Sequence, residues 1–218
     1  MIQVHGHRGA RAVLPENTIA GFEYAIGVGV DAIEMDVVVS RDDVVIVSHD
    51  PYLKSGAFIR TLTAVETGLP TLDKVLALDG AFLFNIEAKV SEHTPPNFAE
   101  LVLAVIRAHA VGPRVIFQSF DFAILDRMKL LAPEIMLAAL WEGATRSFVE
   151  IAREAGTKIV APEYVLVTED EVRKAHEAGI RVIPWTANTP EDWTRLIAAG
   201  VDGIITDDPA ALIAYLGR

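Results

Sequence analysis

Along the chain, short apolar runs alternate with longer stretches in which apolar positions return every three or four residues, the periods of buried strand and amphipathic helix. The runs fall at residues 3–7, 32–38, 82–88, 115–118, 136–140, 158–161, 182–185 and 203–206. Helical periodicity covers 18–27, 72–78, 98–110, 122–131, 147–155, 169–178, 191–199 and 210–216. Asp121, Thr168 and Thr189-Pro190 stand at helix starts, and Gly156, Gly179 and Gly200 just past helix ends, as capping requires. Strand followed by helix, eight times over, predicts parallel strands joined by helical crossovers. The expected fold is α/β: a single (β/α)8 TIM barrel, with residues 1–218 as one domain.

One region departs from this rhythm. Residues 44–48 read as a return strand, joined to the second run through Arg41-Asp42-Asp43, and residues 50–69 carry no firm periodicity. This predicts a short excursion after strand 2, on the side of the barrel where active sites form.

Composition narrows the function classes. With 218 residues, 51% of them hydrophobic, the chain is long enough to bury one barrel core. A formal net charge of -11 argues against a broad basic surface for nucleic acid or anionic lipid, so an anionic substrate needs locally placed positive charge. No Gly-rich loop joins a strand to a helix, which removes dinucleotide binding. The absence of cysteine excludes disulfides, thiolate metal sites and cysteine nucleophiles. No apolar run is long enough for stable membrane insertion. The start Met1-Ile-Gln-Val-His lacks the basic and apolar regions of a leader, and the expectation is a mature, cytoplasmic protein. No oligomeric state is assigned, because scattered apolar surface positions do not define an interface.

Strand parity concentrates the chemistry. In Ala32-Ile-Glu-Met-Asp-Val, Glu34 and Asp36 share one face while Ile33, Met35 and Val37 share the other; in Phe84-Asn-Ile-Glu-Ala-Lys, Asn85, Glu87 and Lys89 lie together. Three carboxylates in a low-dielectric barrel mouth repel one another unless a cation neutralises them. Oxygen-only ligation favours one divalent magnesium, calcium or manganese ion over zinc. The competing reading is a salt-bridged interior in which Lys89 pairs with Glu87. His7 ends the first strand and His49 ends the excursion's return strand, so both imidazoles reach one rim, suited to activating an attacking oxygen and protonating a leaving alkoxide. His5 reads as a deeper structural residue. Arg8 offers a bidentate phosphate contact and Lys89 a point charge, with an ion pair between Arg8 and Glu16 as the alternative use of Arg8.

The ordered strings His7-Arg-Gly9, Pro15-Glu-Asn-Thr18, Glu34-x-Asp36, His49-Asp-Pro51, Pro70-Thr-Leu72, Asn85-Ile-Glu-x-Lys89, Trp185-Thr186 and Thr206-Asp-x-Pro209 resemble the successive motifs of glycerophosphodiester phosphodiesterases, across essentially the whole chain. The resemblance implies a TIM-type barrel with a metal held by Glu34, Asp36 and Glu87, an acid and base pair formed by His7 and His49, and phosphate contacts from Arg8 and Lys89. It implies for Trp185 an apolar wall beside the glycerol or head group, the alternative being a buried barrel aromatic. Glu16 is expected to support the site by orienting Arg8, with Pro15 and Asn17 setting the turn into the first helix. Gln118, Ser119, Thr206 and Asp207 are expected to pack or to support. The segment 52–69 is shorter than is usual in such proteins, and Asp43 stands where the hairpin usually has glycine.

The implied activity is hydrolysis of a glycerophosphodiester, a small-molecule substrate, to glycerol 3-phosphate and an alcohol. A lysophospholipase D or phosphoinositol-type phospholipase on the same barrel is the enzymatic alternative, favoured by an apolar rim loop for which Ala57-Phe58-Ile59 is the candidate. A barrel that binds phosphoryl ligands without cleaving them is the alternative from another class, and the paired histidines argue against it.

Overall fold

The structure is a computed structural model that describes residues 1–218. In chain order the elements are β1 (Gln3–Gly6), α1 (Ile19–Val28), β2 (Ala32–Val39), β3 (Val45–Val47), α2 (Ala64–Thr67), α3 (Leu72–Leu76), β4 (Leu83–Ala88), α4 (Phe98–Ala108), β5 (Val115–Ser119), α5 (Phe122–Leu131), β6 (Met136–Trp141), α6 (Phe148–Glu154), β7 (Ile159–Pro162), α7 (Glu169–Glu177), β8 (Arg181–Val182), α8 (Pro190–Ala199), β9 (Gly203–Thr206) and α9 (Pro209–Tyr215). Parallel pairing runs β8-β7-β6-β5-β4-β2-β1-β9. The ring is closed between the end strands by three backbone bonds: Asp202 N–H to the Val182 carbonyl at 2.9 Å, Ile205 N–H to Pro184 at 2.9 Å and Ala187 N–H to Ile205 at 3.1 Å. The expected (β/α)8 barrel is what forms.

Parity along the strands divides the core into two regions. Outward residues such as Phe84, Ile86 and Phe117 join Phe22, Phe98 and Phe148 of the helices in the main apolar layer between barrel and helices. Inside the barrel, Ile116, Ala138, Ile159, Ile183 and Ile205 form an apolar half contributed by β5, β6, β7, β9 and the segment after β8. The other half of the interior is polar: His5, Glu34, Asp36, Asn85 and Glu87, all buried, come from β1, β2 and β4. The chemistry is therefore confined to one side of the lumen.

Helix ends follow local side-chain chemistry. The Thr18 hydroxyl accepts the Gly21 N–H at 3.1 Å and begins α1, and Gly29, with φ of 91°, ends it in the left-handed conformation glycine adopts without a steric penalty. α8 opens on Thr189 with Pro190 in its first turn and closes on Gly200.

Differences from the sequence reading concern short elements. The excursion contains the antiparallel strand β3, paired Val37 to Val47, Val38 to Ile46 and Val39 to Val45, as expected. It also contains a 3-10 turn (Ile59–Thr61) and α2, whose capping box joins Thr63 and Glu66. Neither is long enough to show a period. The seventh barrel strand, β8, is two residues long rather than four, and Trp185 joins the sheet through a single bridge to Glu163. In Ala57-Phe58-Ile59, Ile59 is buried against Val38 and Ile46, while Phe58 is exposed and meets the rings of Tyr52 and His93 edge-on.

Candidate active site

The site begins with strand register. β2 and β4 pair with Glu34 opposite Asn85 and Asp36 opposite Glu87, and β4 and β5 pair with Glu87 opposite Gln118. Side chains of one parity on neighbouring strands then meet inside the barrel. The ligand oxygens of Glu34, Asp36 and Glu87 all lie within 4.8 Å of one another, with residue exposures of 1%, 1% and 6%.

Such a cluster is electrostatically unfavourable, and its protonation reflects that. Burial first, and then the Asp36 and Glu87 charges, hold the Glu34 carboxyl well above the usual carboxylate range. Burial and the Asp36 charge push Glu87 up to about 7. Asp36 goes the other way: burial opposes ionisation, but Lys89, Arg8 and the Asn17 amide together outweigh it and lower the value. Lys89 Nζ lies 3.2 Å from Asp36 Oδ1 and 2.5 Å from Glu87 Oε1, so the ion pair considered for Lys89 from the sequence is present, and it extends to a second carboxylate.

Two buried amide oxygens beside this cluster, Asn85 Oδ1 and Gln118 Oε1, have no hydrogen-bond donor, while Asp36 Oδ1 and Glu87 Oε1 share the single ammonium of Lys89. Buried oxygen acceptors left short of donors cost free energy unless something positive meets them. A hard divalent ion fits this donor set, and Glu34, Asp36 and Glu87 could hold it.

The first β-α turn carries two guanidinium groups, Arg8 and Arg11. Arg8 adopts φ of 50°, and its backbone N–H donates to Glu34 Oε2 at 2.8 Å. Its Nη1 donates to both Glu16 oxygens at 3.0 and 3.1 Å, while Nε lies 3.2 Å from Asp36 Oδ2. Arg11 Nε contacts the same Glu16 at 2.8 Å. The expected contact of Glu16 with Arg8 thus forms. Gly9 follows with φ of 89°, and a Cβ there would stand 2.7 Å from the Gly21 carbonyl carbon, so the turn is pressed against α1 where only glycine fits.

Two imidazoles reach the same cleft, each anchored through Nδ1. His7 Nδ1 lies 2.5 Å from Asp207 Oδ1, and Asp207 also accepts Asn188 Nδ2 at 2.8 Å. Burial raises the Asp207 value, yet the His7 and Asn188 contacts outweigh it and keep the carboxyl below its ordinary value. His49 Nδ1 lies 2.9 Å from Asp50 Oδ1. Burial, with Lys89 nearby, holds His49 below its ordinary value, which favours the neutral, proton-accepting imidazole. His5 sits deeper, as expected: Asn85 Nδ2 donates to its Nδ1 at 3.3 Å, Nε2 faces Gln3 Oε1 at 3.4 Å, and burial pushes it down to about 4.

His7, Arg8, Glu34, His49, Glu87 and Lys89 line one cleft of about 320 Å³ at the C-terminal mouth of the barrel, which Phe120, Glu142 and Trp185 also line. Trp185 is half-buried. Its Nε1 donates to the Ala161 carbonyl at 2.8 Å and its ring meets Phe120 edge-on at 5.6 Å, so it forms a wall of the cleft rather than a fully buried barrel aromatic.

Four residues contribute more than the sequence reading gave them. Asp207, expected only to pack or support, clamps His7. Asn17, expected to set a turn, donates Nδ2 to Asp36 Oδ2 at 2.9 Å. Phe120 and Glu142 follow β5 and β6 and carry no motif. The signal for Asp207 was topological: in a closed barrel the last strand pairs with the first, and Gly6 stands opposite Thr206, so the residues that follow both strands are neighbours.

A closed barrel that gathers imidazole, guanidinium, ammonium and carboxylate groups at its C-terminal mouth has the layout of a TIM-barrel enzyme. Comparison with known proteins makes the class specific. The model of the glycerophosphoryl diester phosphodiesterase family matches residues 7–67 and 59–211. A glycerophosphodiester phosphodiesterase of Caldanaerobacter subterraneus subsp. tengcongensis is 32% identical over 232 residues, covering 96% of each chain. The structure of a glycerophosphodiester phosphodiesterase from Thermotoga maritima superposes with a TM-score of 0.83 at 29% identity, covering 98% of each chain. A phosphodiesterase of Oleispira antarctica, solved in complex with the product sn-glycerol-3-phosphate, superposes with a TM-score of 0.90 at 23% identity over 99% of this chain and 97% of that one. The chain belongs to the glycerophosphoryl diester phosphodiesterase family and is an enzyme of that class. No helix is long and apolar enough to cross a membrane.

Proposed function

We propose that the chain hydrolyses water-soluble glycerophosphodiesters to glycerol 3-phosphate and an alcohol, with His7 and His49 as the proton-transfer pair and a divalent cation at the carboxylate triad. The observation that carries this reading is the convergence of both Nδ1-anchored imidazoles with Arg8 and Lys89 on the cleft above the triad. The product bound in the Oleispira antarctica enzyme agrees with the substrate class.

A divalent ion held by Glu34, Asp36 and Glu87 supplies, when bound, Lewis-acid polarisation of a phosphoryl oxygen. The remaining work belongs to side chains of the protein. With Glu16 on Nη1 and Asp36 beside Nε, Arg8 keeps Nη2 without a protein partner, a donor for a phosphoryl oxygen. Lys89 adds positive charge where negative charge grows during transfer. One imidazole takes the proton of the attacking O–H as the new P–O bond forms. The other gives a proton to the departing alkoxide oxygen as the old P–O bond breaks. Anchoring through Nδ1 leaves each Nε2 for these transfers, and Asp207 and Asp50 fix the ring orientations.

Release of glycerol 3-phosphate from glycerophosphocholine tests the assignment. His7→Ala and His49→Ala should each lose about 10²-fold or more in kcat while keeping the wild-type melting temperature. Wild-type turnover in His49→Ala would remove it from the mechanism.

A further inference from the structure

Strand parity sets an arginine at the floor of the barrel, at the end remote from the catalytic mouth. β6, β7 and β8 start side by side there, with Ala138 opposite Ile159 and Ile159 opposite Arg181. Ala138 and Ile159 point into the lumen, so Arg181, of the same parity, points inward as well, and two residues on Ile183 belongs to the apolar half of the interior. The Arg181 side chain is half-buried, and the one protein acceptor it meets is Met136 Sδ, 3.6 Å from Nη2. Burial lowers the deep His5, and the Arg181 charge adds to that fall against the pull of Asp31, so the field of the guanidinium reaches into the lumen. A thioether is a weak acceptor, whereas a guanidinium carries five N–H donors and a full charge. Drawn partly out of water with no counter-ion, such a group costs free energy that a bound anion recovers.

Arg181 opens on a cleft of about 400 Å³ formed with Lys129 of α5, the loop entering β6 (133–137) and the loop entering β7 (156–159). No residue of this cleft lines the catalytic one. Lys129 and Lys158 face it, and neither is within ion-pair distance of a carboxylate. Lys129 is held in place over Gly156: its Nζ donates to the Gly156 carbonyl at 2.9 Å, and a Cβ on Gly156, whose φ is 63°, would stand 2.6 Å from that nitrogen. Most Lys and Arg side chains of this chain meet a carboxylate, as 30 acidic against 19 basic residues would lead one to expect. Here three cations share one cleft with a single lining carboxylate, the exposed Glu134, which pairs with none of them. Asp126, beside Gly156, forms no ion pair either. No aromatic ring lines the cleft, so a flat base has nothing to stack on and charge is what a ligand can use.

We propose that this cleft is a binding site for a small phosphoryl anion, separate from the catalytic mouth, in which the Arg181 guanidinium pairs with phosphoryl oxygens and Lys129 and Lys158 supply the remaining positive charge. A carboxylate offers two oxygens in one plane. A phosphoryl group offers three in different directions, which suits donors that arrive from a helix, a loop and a strand. The site stands on the N-terminal face of the barrel and is independent of the phosphodiesterase reading.

Inorganic pyrophosphate is the probe, used with chelator so that no divalent ion carries it to the carboxylate triad. In calorimetric titrations at low ionic strength, the wild type should bind it with an affinity that falls by about tenfold or more in Arg181→Gln and in Lys158→Gln. Lys158 is exposed, so its variant reports on the site even where Arg181→Gln disturbs the lumen floor. Binding should also slow amide hydrogen exchange at residues 134–137 and 156–159. Equal affinity in the wild type and Lys158→Gln, or exchange slowed only around Arg8 and Lys89, overturns the site, because pyrophosphate then occupies the catalytic mouth alone. Absence of binding by the wild type overturns it as well. Neither readout uses turnover, so the outcome is separate from that of the hydrolase assay.

Discussion

At the scale of single residues, the site depends on side chains that hold other side chains. His7 is oriented by Asp207 and Asp207 by Asn188, so the imidazole is fixed at its Nδ1 edge before any substrate arrives. Asp207→Asn keeps the size of the group but removes the charge that holds the ring. Steady-state kinetics should show kcat reduced by about tenfold to a hundredfold, KM nearly unchanged, and an altered pH profile. An unaltered kcat and pH profile would make Asp207 a packing residue, the role it has on sequence alone. Asn17 and Glu16 act in the same way on Asp36 and Arg8, each spending its polar atoms on a charged neighbour rather than on solvent.

At the scale of elements, the first β-α turn is the most constrained part of the site. Gly9 lies against the backbone of α1, and the Arg8 N–H bond to Glu34 depends on the same turn. Gly9→Ala forces both a positive φ and a backbone collision on a residue with a Cβ. A cost of about 2–3 kcal/mol is expected, seen as a fall of roughly 5–10 °C in Tm together with lower activity. A melting temperature within a degree of wild type would show that the turn can move away. The legibility of the chain in sequence follows element length. Long elements with a clear period, such as β2 and β4, announce both their existence and their inward face, and so Glu34, Asp36, Asn85 and Glu87 were placed correctly on parity alone. The two-residue β8 and four-residue α2 are too short to repeat a period and form because neighbours and caps hold them. Asp207, Phe120 and Glu142 stand just past strand ends, where position is fixed by barrel closure and loop geometry rather than by pattern. His7 and His49 were legible because their residue type is rare and both follow strands that end at one rim.

At the scale of the whole molecule, a chain of net charge -11 nevertheless gathers Arg8, Arg11 and Lys89 at one mouth, the local positive charge that the proposed anionic substrate needs. The same mouth has a pH signature. Glu34 and Glu87 are raised above their ordinary values, so the ion-free fold favours their neutral forms; that contribution to stability is fully present below the ordinary carboxylate value and is lost as pH rises through about 7, the value for Glu87. A divalent ion requires the ionised forms and restores what is lost, so the rise in Tm produced by millimolar magnesium, calcium or manganese should be small at pH 6 and larger at pH 8. Glu87→Gln should remove most of this difference, whereas an increment independent of pH would place the ion elsewhere. In the proposed mechanism, phosphodiester cleavage at this mouth depends on a cation at the carboxylate triad. The most direct test of that dependence is release of glycerol 3-phosphate from glycerophosphocholine before chelation, after chelation, and after adding back each of the three cations. Chelation should abolish turnover and at least one cation should restore it; full turnover in the presence of chelator would show that cleavage needs no ion at the triad.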